Sequence, residues 1–289
     1  MIKSNKLKMS DSLPLTCSRT GTCCHGKKVN LNPWELANLA HAKGLSTEEF
    51  RDKFCDFGGI LLKFNGKPGW KNLNSCSQYV EGFGCSVHSG RPLACRLYPL
   101  GRQKQSEKID YIFQGDEFPC LEGCPEVLEL PKMTVATYIK DQNATEYEEA
   151  EDLYLELMQN IADVAFTLLL ETGLAEKDNG ITLQKWKDVG NYSSSELVDF
   201  IGEEWIDLLM LTNLENYIND HNSFYQAHYK IIQNKLQIDC NSYTNISELS
   251  DGSALIIGLA LYLARGLGVD ISSLITLWIN IAKENGATM

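Results

Sequence analysis

Eight of the ten cysteines fall into three groups: Cys17, Cys23 and Cys24; Cys76, Cys85 and Cys95; Cys120 and Cys124. Thiols at this density are bridged, metal-bound or redox-active, so the fold must bring distant stretches of chain to common sites. Four thiolates complete either a tetrahedral zinc site or a cubane iron–sulfur cluster. The adjacent pair adds a constraint. In extended backbone Cys23 and Cys24 point to opposite faces and serve two sites, whereas a tight turn brings both to one. The chain has no C-x2-C pair, which argues against an ordinary zinc ribbon, and its spacings do not match the ferredoxin runs. The metal-ligand candidates are therefore Cys17, Cys23, Cys24, Cys76, Cys85, Cys95, Cys120 and Cys124. Cys55 and Cys240 stand apart and read as small buried hydrophobes.

Compartment decides between bridge and ligand. The start, "MIKSNKLKMSDSLPL", is basic but lacks an apolar core, so it does not read as a secretory signal. The most apolar run, "ALIIGLALYLA", is too short for a bilayer span, which needs about 20 residues, and reads as part of a core helix. The expected location is the cytoplasm, where thiols stay reduced and clustered cysteines are ligands or redox groups rather than bridges.

Charge divides the chain. Residues 1–132 hold 18 Lys and Arg against 14 Asp and Glu; residues 133–289 hold 8 against 24. An excess of four basic residues is too weak to argue for nucleic acid, and the acidic second half disfavours both nucleic acid and an anionic membrane. That half offers instead a solvated helical surface or a face for a protein partner.

The same division appears in the hydrophobic pattern. "NPWELANLAHAKG" predicts a helix with Asn32 as N-cap, Pro33 at its first position and Gly44 as its stop. Ser46 and Glu49 have capping-box spacing for a second helix. Turn signals between residues 59 and 88 predict small hairpins, "RPLACRLYP" a short helix ending at Pro99, and "KIDYIFQ" a strand. Beyond residue 133 the pattern is helical: residues 137–173, the segments "SSSELVDFIGEEWIDLLML", "NLENYINDHNSFYQAHYKIIQNKLQ" and "SELSDGSALIIGLALYLARGLG", and a last helix from Ser272. The expected fold class is α+β, mainly α. A small cysteine-rich metal-binding head with short strands and helices (residues 1–132) precedes an all-helical half (133–289).

The segments "CSRTGTCC", "CSQYVEGFGCSVHSGRPLACRLYP" and "CLEGC" occur in an order and spacing that resemble the YkgJ-type cysteine-cluster family. The resemblance covers residues 15 to about 130 and implies a zinc- or iron-chelating domain. Thr20 departs from it, standing where many members have the second cysteine of the first loop. Similar clusters occur in flagellin lysine methylases, which implies an alternative: an iron–sulfur enzyme using S-adenosylmethionine. The chain lacks a glycine-rich strand-to-helix motif for that cofactor, so an ordinary Rossmann-type methyltransferase is not expected.

Around the thiols, Arg91 and Arg96 flank Cys95 and are the candidate cofactor-binding cations, since a guanidinium favours a neighbouring thiolate. Arg96 is expected against the thiolates and Arg91 facing outward. His25 and His88 stand close enough to ligands to be donors or supporting groups. His41, His221 and His228 lie on predicted helices as packing or surface residues. Three functions fit these residues: a protein holding an iron–sulfur cluster (such as [4Fe-4S]) or zinc for metal handling or redox work; an iron–sulfur-dependent enzyme such as a protein lysine methylase; or a zinc-stabilised scaffold.

Overall fold

The computed structural model describes residues 5–16, 21–105, 108–113, 122–211 and 213–288. The local signals of the head form as their chemistry dictates. Helix α1, Pro33–Lys43, begins at a capping box in which Asn32 and Glu35 satisfy each other's amides, and stops at Gly44 in the left-handed region. Helix α2, Thr47–Phe54, begins at the Ser46–Glu49 capping box. Helix α3, Leu93–Leu97, carries Cys95.

The strands are short. β1 (Asn5–Leu7), β8 (Lys108–Phe113) and β7 (Leu100–Gln105) form an antiparallel sheet in that order. β2 (Ser12–Leu13) pairs with β9 (Met133–Thr134), β3 (Cys55–Asp56) with β4 (Leu61–Leu62), and β5 (Tyr79–Val80) with β6 (Gly84–Cys85). The β5–β6 hairpin falls at a predicted turn, residues 81–84, whereas β3–β4 turns earlier, between Asp56 and Leu61, where no turn is expected. β7 is formed by a stretch that carries no clear strand pattern; its register with β8 from Leu100↔Phe113 to Gln105↔Lys108 supplies the pairing.

The described residues beyond β9 are helical, giving an α+β fold that is mainly α. The segments are α4 (Val135–Asp141), α5 (Ala144–Glu171), α6 (Leu174–Lys177), α7 (Ile181–Gly190), α8 (Ser194–Ile201), α9 (Glu203–Met210), α10 (His221–Ser242), α11 (Ile246–Gly266) and α12 (Ile271–Glu284). Three stretches with continuous helical patterns are in fact divided; in 213–237 a 3-10 turn, Glu215–Tyr217, precedes α10, which starts only at His221. Asn143, with φ of 49°, separates α4 from α5, and Gly202, with φ of 84°, separates α8 from α9. A helical period survives such a kink, so periodicity alone does not reveal it. α7 is a further element the pattern reading missed.

Helix α11 is the axis of the core: Ile257, Leu259, Ala260, Leu261, Tyr262 and Ala264 are fully buried. It packs against α5, α7 and α8. By length and composition α5 and α11 would each suffice to cross a membrane; in this fold 44% and 67% of their most apolar windows are buried inside the protein. The apolar run at 254–264 is thus the middle of a 21-residue core helix.

The core crosses the residue-132 boundary without a break. Trp34 Nε1 donates to the Ile218 carbonyl at 3.0 Å, Tyr262 Oη donates to the Phe57 carbonyl at 3.0 Å, and Arg51 pairs with Asp207 at 2.6 Å. These contacts fix the head, and hence its thiols, on the helical half.

Candidate metal centre

Residues Thr22–Cys24 form one turn of 3-10 helix that starts from Gly21, whose φ is 80°. The turn makes Cys23 and Cys24 neighbours on one site rather than partners of two. A Cβ on Gly21 would come within 2.2 Å of the Tyr79 ring, so this position requires glycine on both backbone and steric grounds. The turn is tied to the second cysteine group through the backbone: the Cys76 amide donates to the Cys24 carbonyl at 2.7 Å. Cys76 in turn leads into the β5–β6 hairpin, where Cys85 pairs with Tyr79. Cys95 arrives on α3, whose start is held by the Leu93 amide donating to Glu35 Oε1 at 2.6 Å.

The result is a cavity of about 180 Å³ lined by Cys23, Cys24, Cys76, Cys85 and Cys95. Val29, Leu39, Leu62, Phe64 and Val87 supply apolar wall, and Lys27, His88 and Arg91 supply the basic groups. Lys27 Nζ lies 2.9 Å from the centre of the Tyr98 ring. Among the described residues, no three His, Cys, Asp or Glu side chains already stand at the separation of ligands on one ion.

The other candidates are placed differently. Cys124 is fully buried beside this cavity rather than on it, its Sγ 3.1 Å from Thr22 Oγ1. Cys17 and Cys120 lie outside the described residues, as does Thr20. Cys55 is buried in β3 and Cys240 lies on α10; neither lines the cavity. His25 turns away: its Nδ1 bonds the Gly21 carbonyl at 3.1 Å, its ring packs edge-on against Tyr79, and Gly69 lies close against Nε2.

The expectation for the two arginines is reversed at the thiols, although Arg91 does reach a backbone carbonyl, donating to that of His88 at 3.1 Å, and to Gln142 Oε1 at 2.9 Å. Arg91 lines the cavity and acts electrostatically on Cys23 and Cys85. Arg96 points away and is buried. Its guanidinium donates to three carbonyls, of Arg91 at 2.7 Å, Gln142 at 2.7 Å and Ser89 at 2.5 Å, and stacks 3.9 Å from the Tyr147 ring centre. The cause is helical geometry. Residues four apart share a helix face, but Arg91 precedes α3 while Arg96 lies within it, on the side facing α5 rather than Cys95's side. Arg96 was also not legible as a structural residue, because its three acceptors are carbonyls, which carry no sequence signature.

The electrostatics suit a thiolate centre. Cys23 is held down at about 6 by the hydrogen bond from Cys24, with Lys27 and Arg91 adding to it. Cys24 keeps the proton and is pushed well above the thiol range by that same bond, by burial and by the neighbouring sulfurs. Burial pushes Cys76 up to about 11 and Cys95 up to about 12, and raises Cys85. One thiolate among protonated neighbours limits the repulsion between gathered sulfurs. A bound thiophilic cation would supply positive charge that lets the others ionise. Soft thiolate donors select zinc, copper(I) and iron–sulfur clusters, so the donor set fits the metals considered from the sequence.

No curated protein and no solved structure matches the chain. Residues 16–112 match the family model CxxCxxCC, described as "Putative zinc- or iron-chelating domain", and this supports metal binding by the cysteine-cluster segment.

Proposed function

We propose that the chain is a YkgJ-type cysteine-cluster protein that holds an iron–sulfur cluster for redox work or metal handling. The observation that carries this reading is the convergence of five cysteines, from the 22–24 turn, the 76–85 segment and α3, on one largely apolar cavity. Four thiolates on one zinc stand roughly 4 Å apart, given Zn–S bonds near 2.3 Å. A cubane would spread its thiolates over four irons at wider separations, and the five converging thiols offer enough donors for it.

The chain's own residues then have definite roles. Cys23, Cys24, Cys76, Cys85 and Cys95 are the thiols from which a cubane would take its four donors. Lys27 and Arg91 offset their negative charge. The Gln78 amide donates to Cys76 Sγ at 3.4 Å, an N–H to sulfur bond of the kind that tunes a cluster's potential. The apolar wall limits water at the sulfurs.

The test is anaerobic purification followed by visible absorption, electron paramagnetic resonance and analysis for iron, acid-labile sulfide and zinc. Iron with equimolar sulfide supports the reading. Stoichiometric zinc with neither iron nor sulfide overturns it in favour of a zinc centre.

A further inference from the structure

The acidic half contains a single arginine, Arg265, near the end of α11. Among the described residues it has no carboxylate partner. Its Nη1 donates to Ser194 Oγ at 2.6 Å and its Nη2 to the Tyr192 carbonyl, while Nε is buried with no hydrogen-bond partner. Burial alone acts on its ionisation, holding it below the ordinary arginine range. An unpaired guanidinium is unexpected in a segment with 24 acidic residues against 8 basic ones. Partly buried cations are normally paired.

Arg265 faces a cleft of about 350 Å³ at the seam between the two halves of the chain. Lys28 stands in the same cleft from the head side and has no ion pair among the described residues. The rest of the lining includes amides and hydroxyls: Asn30, Asn191, Ser194 and Ser272. Asp270 is the one carboxylate in the lining. Both its oxygens are engaged at the start of α12, by the Ser272 amide at 3.2 Å and Ser273 Oγ at 2.6 Å.

We infer that this cleft binds the oxyanion group, phosphate or carboxylate, of a small molecule. Arg265 supplies a planar cation, Lys28 a second charge from the opposite wall, and the amides and hydroxyls neutral donors. A guanidinium is shaped for two-point contact with either oxyanion. The cleft is larger than one oxyanion, so the ligand carries a polar body beyond it. The site is separate from the cysteine cavity: Lys27 serves the thiols and Lys28, the next residue, serves the cleft.

The experiment uses the full chain and reads binding of inorganic phosphate and, separately, succinate by calorimetry and by thermal shift. Neither readout depends on metal content. Tight binding of either ion is expected, and the preferred one identifies the ligand class. Lys28→Gln should weaken it at least tenfold, and because the Lys28 side chain has no hydrogen bond or ion pair among the described residues this variant should keep its structure. Arg265→Lys should weaken it further. Lys185→Gln, whose lysine pairs with Asp251 outside the cleft, should bind as the parent does. Absence of binding for both ions, or a Lys28→Gln variant that binds as tightly as the parent, overturns the inference.

Discussion

The Nε of Arg96 donates to the carbonyl of Arg91 at 2.7 Å, and both guanidinium groups also reach Gln142, Arg96 at its carbonyl and Arg91 at its Oε1, at 2.7 and 2.9 Å. Arg91 reaches the cysteine cavity; Arg96 locks α3 to the start of α5 through the Gln142 carbonyl and the Tyr147 ring. Of the two, only Arg91 acts on the thiols, its charge favouring the thiolates of Cys23 and Cys85, while Arg96 is structural. Arg91→Gln should lower metal per chain while leaving the helical circular dichroism intact. Arg96→Gln should cost about 3 kcal/mol in urea denaturation, because buried carbonyls lose charged donors. Metal loss from Arg96→Gln alone, with full stability, would contradict this division.

Glu35 is buried, accepts the amides of Asn32 and Leu93, and is pushed up to about 7, chiefly by its burial. Its unfolded value lies near 4.3. A carboxyl raised in the fold contributes stability that is present below about pH 4.3 and is lost as pH rises through about 7. The parent should therefore lose up to about 3 kcal/mol across that window relative to the slope of Glu35→Gln. Urea midpoints of both proteins at pH 5 and pH 7 provide the check. Parallel behaviour of the two would mean that the carboxyl is ionised throughout.

His228 acts in the opposite sense. It is fully buried between Tyr154 Oη at 3.0 Å and the Leu208 carbonyl at 3.0 Å, and burial pushes it down to about 4. A histidine held neutral contributes stability that is complete above its unfolded value near 6.5 and is lost as pH falls through about 4. His228→Gln should flatten the acid limb of the stability profile below pH 6. A limb unchanged by the substitution would assign acid unfolding to other groups.

Gly21 sets the turn that presents Cys23 and Cys24. Gly21→Ala adds a Cβ at a positive φ, costing about 1–2 kcal/mol, and forces the Tyr79 ring aside. Metal content should fall with little change in helicity. Retention of full metal at parental stability would show that the turn adapts freely.

The shared core bears on how the chain unfolds. Trp34 and Tyr262 each bond across the boundary between residues 1–132 and 133–289. The chain should unfold in one transition, with loss of helicity and exposure of the cavity thiols to a labelling reagent coinciding in urea. Two separated transitions would mark the halves as independent folding units.

Local chemistry was legible from residues alone. The capping boxes at Asn32–Glu35 and Ser46–Glu49, the stop at Gly44 and the helical second half depend on groups within a few positions of one another, which spacing records. The grouping of cysteines pointed to a metal centre for the same reason: thiols carry their chemistry with them. Tertiary structure alone decided which of them share a cavity, because that depends on the Cys24–Cys76 backbone bond and the anchoring of α3 by Glu35, across 52 and 58 residues of sequence separation. It also decided that Arg91 rather than Arg96 faces the thiols. It left Arg265 without a carboxylate partner among the described residues of an acidic half. Hydrogen bonds to distant carbonyls and the placement of charge across a seam depend on how elements pack, and packing has no fixed spacing in the sequence.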